Sequence, residues 1–225
     1  MLHDDLLDVL GREIVEGSVP AGAVLTLEGL GTRFGVSRTV TREVMRLLES
    51  MGLVTSRRRV GIVVRPAVDW DVYDPRLLRW RLAGSERPAQ LRSLTELRSA
   101  VEPVAARLAA QRGSAAGDEL VELAARMRVL GEAGRLAEFM VVDAQFHALV
   151  LRASRNEMFA ALADVVEEVL RGRTEHGLMP PRPEPRALAA HEAVAAAVQA
   201  GDSPGAEAAM SAIVNEVSAA LTGTE

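Results

Sequence analysis

Asp143 and His147 stand four residues apart, a spacing that a helix turns into two side chains on one face. An aspartate and an imidazole so placed are usable metal ligands, and His191, one of four histidines in the chain, is the candidate third. Carboxylate and imidazole donors suit Zn²⁺, Ni²⁺ or Mn²⁺. A surface aspartate and two ordinary histidines would leave the same spacing, so both readings stay open. The second constellation is basic. Residues 30–65 carry Arg33, Arg38, Arg42, Arg46, Arg57, Arg58, Arg59 and Arg65 against Glu43 and Glu49, a local balance of +6. The whole chain of 225 residues carries −5, which leaves −11 on the rest. A basic segment on an acidic body fits a DNA reader joined to another module; a solvated charge run fits the count as well. All 26 basic residues are arginine, so placement is more telling than number.

These arginines lie where two helices and a hairpin are expected. Thr26 is a candidate cap for a short helix over about 27–34 that ends at Gly35, and Ser37 caps a second helix from Arg38 to Met51, with Gly52 behind it. In the second helix Val40, Val44, Leu47, Leu48 and Met51 form one buried stripe. The opposite face is expected to show Arg38, Thr39, Thr41, Arg42, Met45 and Arg46. Arg38 and Arg42 are one turn apart and project together. A helix fits the major groove, and arginines near its start can donate bidentately to guanine. Val54, Val60, Ile62, Val63 and Val64 flank the basic turn 56–61 and predict a small β-hairpin, whose tip would lie along DNA as a wing. An amphipathic helix with a solvated arginine face is the competing reading.

The rest of the chain reads as helix. A first amphipathic helix covers 3–16, and candidates follow at 88–112, 115–133, 136–154, 156–178, 185–200 and 204–222, broken at Gly113-Ser114, Gly134, Ser154-Arg155, 180–185 and Gly201-Asp202. Residues 66–87, with three prolines near or within them and with Trp70 and Trp80, read as a linker with a short docking helix, and the tryptophans as packing anchors between domains. The division expected is 1–66, a DNA-binding domain; 67–87, the linker and docking helix; and 88–225, a helical domain. The chain has no cysteine, which excludes disulfides, thiolate metal sites and a cysteine nucleophile. The acidic start lacks a signal-peptide pattern, and no window reaches the roughly 18 apolar residues of a membrane span. A soluble cytoplasmic protein is expected.

Residues 5–65 resemble the winged helix of the GntR family of transcriptional regulators. The resemblance runs through Ile14, Gly17, Pro20, Gly22, Gly35, Val36, Ser37, Arg38, Thr39, Arg42, Glu43, Leu48, Gly52, Leu53 and Gly61. It implies that Arg38, Thr39 and Arg42, with Arg46 beside them, contact DNA, and that Arg58, Arg59 and Gly61 form the contacting wing. Met45 stands where the family usually has alanine and is expected to point outward.

Residues 70–222 resemble the FCD domain of the FadR branch, through DWDVYDPRLLRW (69–80), LTELRSAVEPVAARLAAQR (94–112), DAQFHALVLRASRN (143–156) and HEAVAAAVQAGDSPGAEAAM (191–210). The resemblance implies a mostly α fold: the winged helix-turn-helix, then an antiparallel helical bundle with a central cavity, forming a homodimer. It implies a metal held by Asp143, His147 and His191. Ile213 stands at the position of an expected fourth ligand, a histidine, so any metal, Zn or Ni, should bind more weakly. Arg98 matches a cavity-facing arginine that could take a carboxylate effector; alternatively it pairs with Glu102, four residues on. Asn156 is expected to cap the next helix. The function implied is a repressor that binds an inverted-repeat DNA operator and is released by a small carboxylate, a sugar acid or related organic acid. The alternatives are a metal-dependent enzyme or a metal-responsive sensor built on Asp143, His147 and His191, with no general acid-base motif beside them, and a purely structural DNA-binding protein.

Overall fold

The computed structural model describes residues 2–113 and 116–222 and divides into two compact units, Met1–Arg87 and Pro88–Glu225. Ser114, part of one expected break, lies outside the described residues, as does the first residue of the helix expected over 115–133.

The first unit runs α1 (Leu2–Val15), β1 (Val24–Leu25), α2 (Leu27–Phe34), α3 (Arg38–Ser50), β2 (Val54–Arg57), β3 (Gly61–Val64), a 3₁₀ turn (Ala67–Asp69) and α4 (Pro75–Ala83). Both expected caps form: Thr26 Oγ1 accepts from the Gly29 amide at 3.0 Å, and Ser37 Oγ from that of Val40 at 3.3 Å. Gly35 closes α2 in the left-handed conformation, φ 65°. The hairpin gains a third, unforeseen strand. The antiparallel order is β1-β3-β2, with Val24 opposite Val63 and Leu25 opposite Ile62. Two residues are too few to show an alternating pattern, so β1 left no mark in the sequence.

The core of this unit joins Leu6, Leu7, Leu10 and Ile14 of α1 to Val44, Met45 and Leu48 of α3 and to Val54, Ile62 and Val64 of the sheet. Two residues expected on the outer face of α3 are inside it. Thr41 is fully buried and Met45 is 4% exposed. The buried stripe is Thr41, Val44, Met45 and Leu48, with Val40 and Leu47 only half-buried at its edge. Thr41 tolerates the core because its hydroxyl donates to the Ser37 carbonyl at 3.1 Å. The tryptophans, expected between domains, act as anchors within this unit. Trp80 on α4 is 3% exposed and donates Nε1 to Asp8 Oδ1 at 3.2 Å, while Trp70 Nε1 donates to the Arg65 carbonyl at 3.2 Å.

The second unit consists of α5 (Arg87–Gln111), α6 (Ala116–Glu132), α7 (Leu136–Ala153), α8 (Glu157–Ala160), α9 (Ala163–Glu175), α10 (Pro185–Ala200) and α11 (Ser203–Thr222). α10 packs on α6 and α11, and α7 on α6 and α9. Met127, Phe146, Val150, Leu151, Val194 and Met210 lie in one continuous core. α6 and α10 approach closely where Gly117 stands; a Cβ there would come within 2.8 Å of the Gln199 Cα. The single helix expected over 156–178 is two, α8 and α9, joined by a turn at Ala161-Leu162. No glycine or proline marks that break, and Leu162 packs against the core there. Asn156 caps α8 as expected, accepting from the Met158 amide at 3.0 Å. Asp143 and His147 sit on α7, Arg98 and Glu102 on α5, His191 on α10 and Ile213 on α11.

Candidate functional site

In the first unit a concave groove runs between α3 and the wing formed by β2 and β3. Arg38, Arg42 and Arg46 line it from the helix, and Arg57 and Gly61 from the wing. Arg38, Thr39, Arg42 and Arg46 are all exposed. Glu43 holds Arg46 at 2.7 Å. Glu49 ties the end of α3 to the wing, accepting from the Ser56 amide at 2.8 Å. Arg58, Arg59 and Val60 form the wing tip between the paired residues Arg57 and Gly61. Arg59 adopts φ 64°, a left-handed conformation disfavoured for a side-chain-bearing residue. Gly61 has φ 122°, and a Cβ there would meet the Leu25 carbonyl at 2.9 Å, so the close pass of the wing by β1 requires glycine.

In the second unit a cavity of about 430 Å³ is lined by Arg98, Asp143, His147, Arg173 and His191 together with Ile213. The four residues singled out from the sequence therefore face one space. Asp143 Oδ1 lies 3.2 Å from His191 Nε2 and 3.5 Å from His147 Nε2. The opposite nitrogen of each ring has an acceptor. His191 Nδ1 lies 2.7 Å from the Ala187 carbonyl and must donate to it, because a carbonyl cannot donate. His147 Nδ1 stands 2.6 Å from Glu102 Oε2, an ion contact that falls short of an aligned hydrogen bond. Neutral rings in these tautomers turn both Nε2 lone pairs toward Asp143. Asp143 Oδ1 and His191 Nε2 have no aligned hydrogen-bond partner, although both are buried. One acceptor each from Asp143, His147 and His191, all within 4.8 Å of one another, fits a divalent cation. Orientation of each imidazole by a carboxylate or carbonyl is the usual support of such a site. Protons on the imidazoles would relieve the same crowding.

Charges around this point are strongly coupled. Burial pushes the Glu102 carboxyl up, but Arg98 and His147 outweigh it and hold it down at about 2. Asp143 is likewise held low: burial opposes ionisation, and the close His147 and His191 imidazoles overcome it. Burial disfavours the charged form of His147, yet the Glu102 charge prevails and raises it to about 9. Arg98, 2% exposed, satisfies both readings offered by the sequence. Its Nε and Nη2 donate to Glu102 at 2.6 and 3.3 Å, while Nη1 is left without a partner.

This arrangement coincides with a shared sequence family. Residues 2–64 match the bacterial regulatory proteins of the gntR family, and residues 93–216 match the FCD domain. The chain belongs to the GntR family.

It is a GntR-family transcriptional regulator with an FCD domain, as its relatives are regulators. The galactonate operon transcriptional repressor of Escherichia coli K12 is 30% identical over 206 residues, 91% of this chain and 90% of that protein. The regulator LutR of Bacillus subtilis 168 is 28% identical over 213 residues, 91% of this chain and 93% of that protein. Among solved structures, E. coli McbR/YncC is 19% identical with a TM-score of 0.55, covering 100% of this chain and 98% of that one, a likeness of fold. The family answers the enzyme reading: this regulator is not a metal-dependent enzyme. Two residues escaped the sequence: Glu102, behind the cavity wall against Arg98 and His147, and Arg173, which lines the cavity. Glu102 was visible only as a partner for Arg98, not as the orienting carboxylate of His147. Arg173 had no signal, because Arg171, two residues before it, is equally basic and faces elsewhere to pair with Glu167. Ile213 lies on the cavity wall, 5% exposed, and adds no ligand atom there.

Proposed function

We propose that this GntR-family regulator is a homodimeric repressor that binds an inverted-repeat operator and releases it when a small carboxylate occupies the FCD cavity. The observation that carries this reading is the buried Arg98, which lines the cavity beside Asp143, His147 and His191 and whose Nη1 has no partner. A guanidinium donor stripped of water needs an acceptor, and a carboxylate matches its fork. The printed name of the galactonate operon relative supports an acidic metabolite as the effector class. Arg38, Thr39, Arg42 and Arg46 read the major groove, and Arg58, Arg59 and Gly61 carry the wing contacts. The effector releases DNA because it binds more tightly to the form that holds DNA less well. No helix among the described residues is long and apolar enough to cross a membrane, and a cytoplasmic setting suits an operator-binding protein.

Asp143, His147 and His191 would hold a divalent cation, Zn²⁺ or Ni²⁺, which would supply a positive charge for the effector carboxylate. With Ile213 in place of a fourth ligand, such a metal should be weakly held and exchangeable. Calorimetric titration of an identified effector, after chelation and again with Zn²⁺ restored, tests this part; equal affinity in both runs contradicts it. The repressor reading is tested by gel shift on DNA flanking the protein's own gene. A retarded band that disappears on adding a carboxylate is the expected result. A band insensitive to every acid tried contradicts the reading.

A further inference from the structure

Arg173 of α9 is the cavity residue for which the site described so far has no use. It is 9% exposed, and its side chain makes no hydrogen bond or ion pair among the described residues. Burial and repulsion from Arg98 outweigh the attraction of Asp143 and Glu216 and lower its pKa to about 10, so it remains charged at neutral pH. Two buried guanidinium groups thus line one cavity, Arg98 with Nη1 unpartnered and Arg173 with no hydrogen bond to its fork among the described residues. An anion at that end would satisfy both and relieve their repulsion.

The remaining walls have the opposite character. Phe139, Leu170, Leu178, Met179, Pro183 and Ile213 line them. None offers a side-chain hydrogen-bond donor or acceptor beyond the weakly accepting Met thioether. The other polar residues of the lining are Glu184, Arg186 and Glu216; Arg186 is held by Glu216 at 3.3 Å, and Glu184 is exposed to water. A hydroxyl turned toward these walls, away from Asp143, His147 and His191, would be stripped of water with nothing to bond. A methylene there would be buried favourably.

We propose that Arg173 is a second carboxylate-binding residue of the FCD cavity, and that the cavity selects an acid whose remaining body is hydrocarbon over a polyhydroxylated acid of the same length. This rests on the carboxylate-effector reading above. It separates the chain from the relative named for galactonate, with which it shares 30% identity.

The test is calorimetry and thermal shift on the full-length protein with three six-carbon probes: hexanoate, gluconate and methyl hexanoate. Hexanoate should raise the melting temperature and bind at least tenfold more tightly than gluconate, and the uncharged ester should not bind. Arg173→Gln should weaken hexanoate at least tenfold with its helical circular dichroism unchanged, and Arg173→Lys should recover part of the loss. Gluconate binding as tightly as hexanoate overturns the selectivity and leaves the carboxylate effector standing. Hexanoate binding equally to wild type and Arg173→Gln overturns the role of Arg173. If neither acid binds, this inference falls together with the effector reading. The comparison of probes uses only the wild-type protein, so it stands even where a variant fails to fold.

Discussion

Arg98 commits two nitrogens to Glu102 and leaves the third without a partner, so the proposed effector contact and the buried ion pair fall on one side chain. Removing one member of a buried ion pair costs about 3–5 kcal/mol where the other is left charged and unpaired; without Arg98, Glu102 keeps only its contact with His147, so that range is an upper bound here. Arg98→Met should lose stability up to that bound in chemical denaturation, and Arg98→Met with Glu102→Leu should recover most of it. A single variant as stable as wild type would show that the pair is not the constraint the geometry makes it. On the DNA side, Arg42→Ala should abolish operator binding with fold and dimer intact, and normal binding by that variant would displace α3 as the reading helix. Arg59→Ala should weaken binding across sequences and reduce the salt slope by about 1. Asp143, His147 and His191 were legible because histidines are few and Asp143 and His147 stand at helical spacing, whereas Arg98, one of 26 arginines, was reached only through the family resemblance. Arg173 was not, since choosing between it and Arg171 requires knowing which way α9 faces. Thr41 and Met45 were misplaced for a related reason: α3 turns its buried stripe toward Thr41 and Met45, and Val40 and Leu47 fall at its edge.

At the scale of elements, punctuation carried most of the information. Thr26, Ser37 and Asn156 cap where their side chains can reach free amides, and Gly35 and Gly201 end helices at positive φ, a conformation open to glycine. Strand β1 and the break between α8 and α9 were hidden, because both are set by neighbours and not by local composition. So was the packing of α4 on α1, where the Trp80 ring covers Gly11. A Cβ at Gly11 would fall 2.3 Å from the indole. Gly11→Ala should therefore destabilise the first unit by about 1–3 kcal/mol, as overpacking does. Thermal melting of the variant checks this; an unchanged transition would mean that α4 can move away without loss.

For the whole molecule, two-fold protein symmetry imposes two-fold operator symmetry. Light scattering at micromolar concentration should give a dimer, and footprinting should protect an inverted repeat; a monomer on a single asymmetric site would count against the assembly proposed. In the function proposed, the FCD cavity and the DNA-reading groove are coupled through the chain. Coupling between two ligands is reciprocal: whatever factor the effector takes from operator affinity, the operator must take from effector affinity. The most direct measurement is the effector dissociation constant with and without saturating operator DNA. It should be weaker on the DNA-bound protein, by the same factor as the effector weakens operator binding. Identical affinities in the two states would contradict the account, leaving a cavity that binds an acid without controlling DNA.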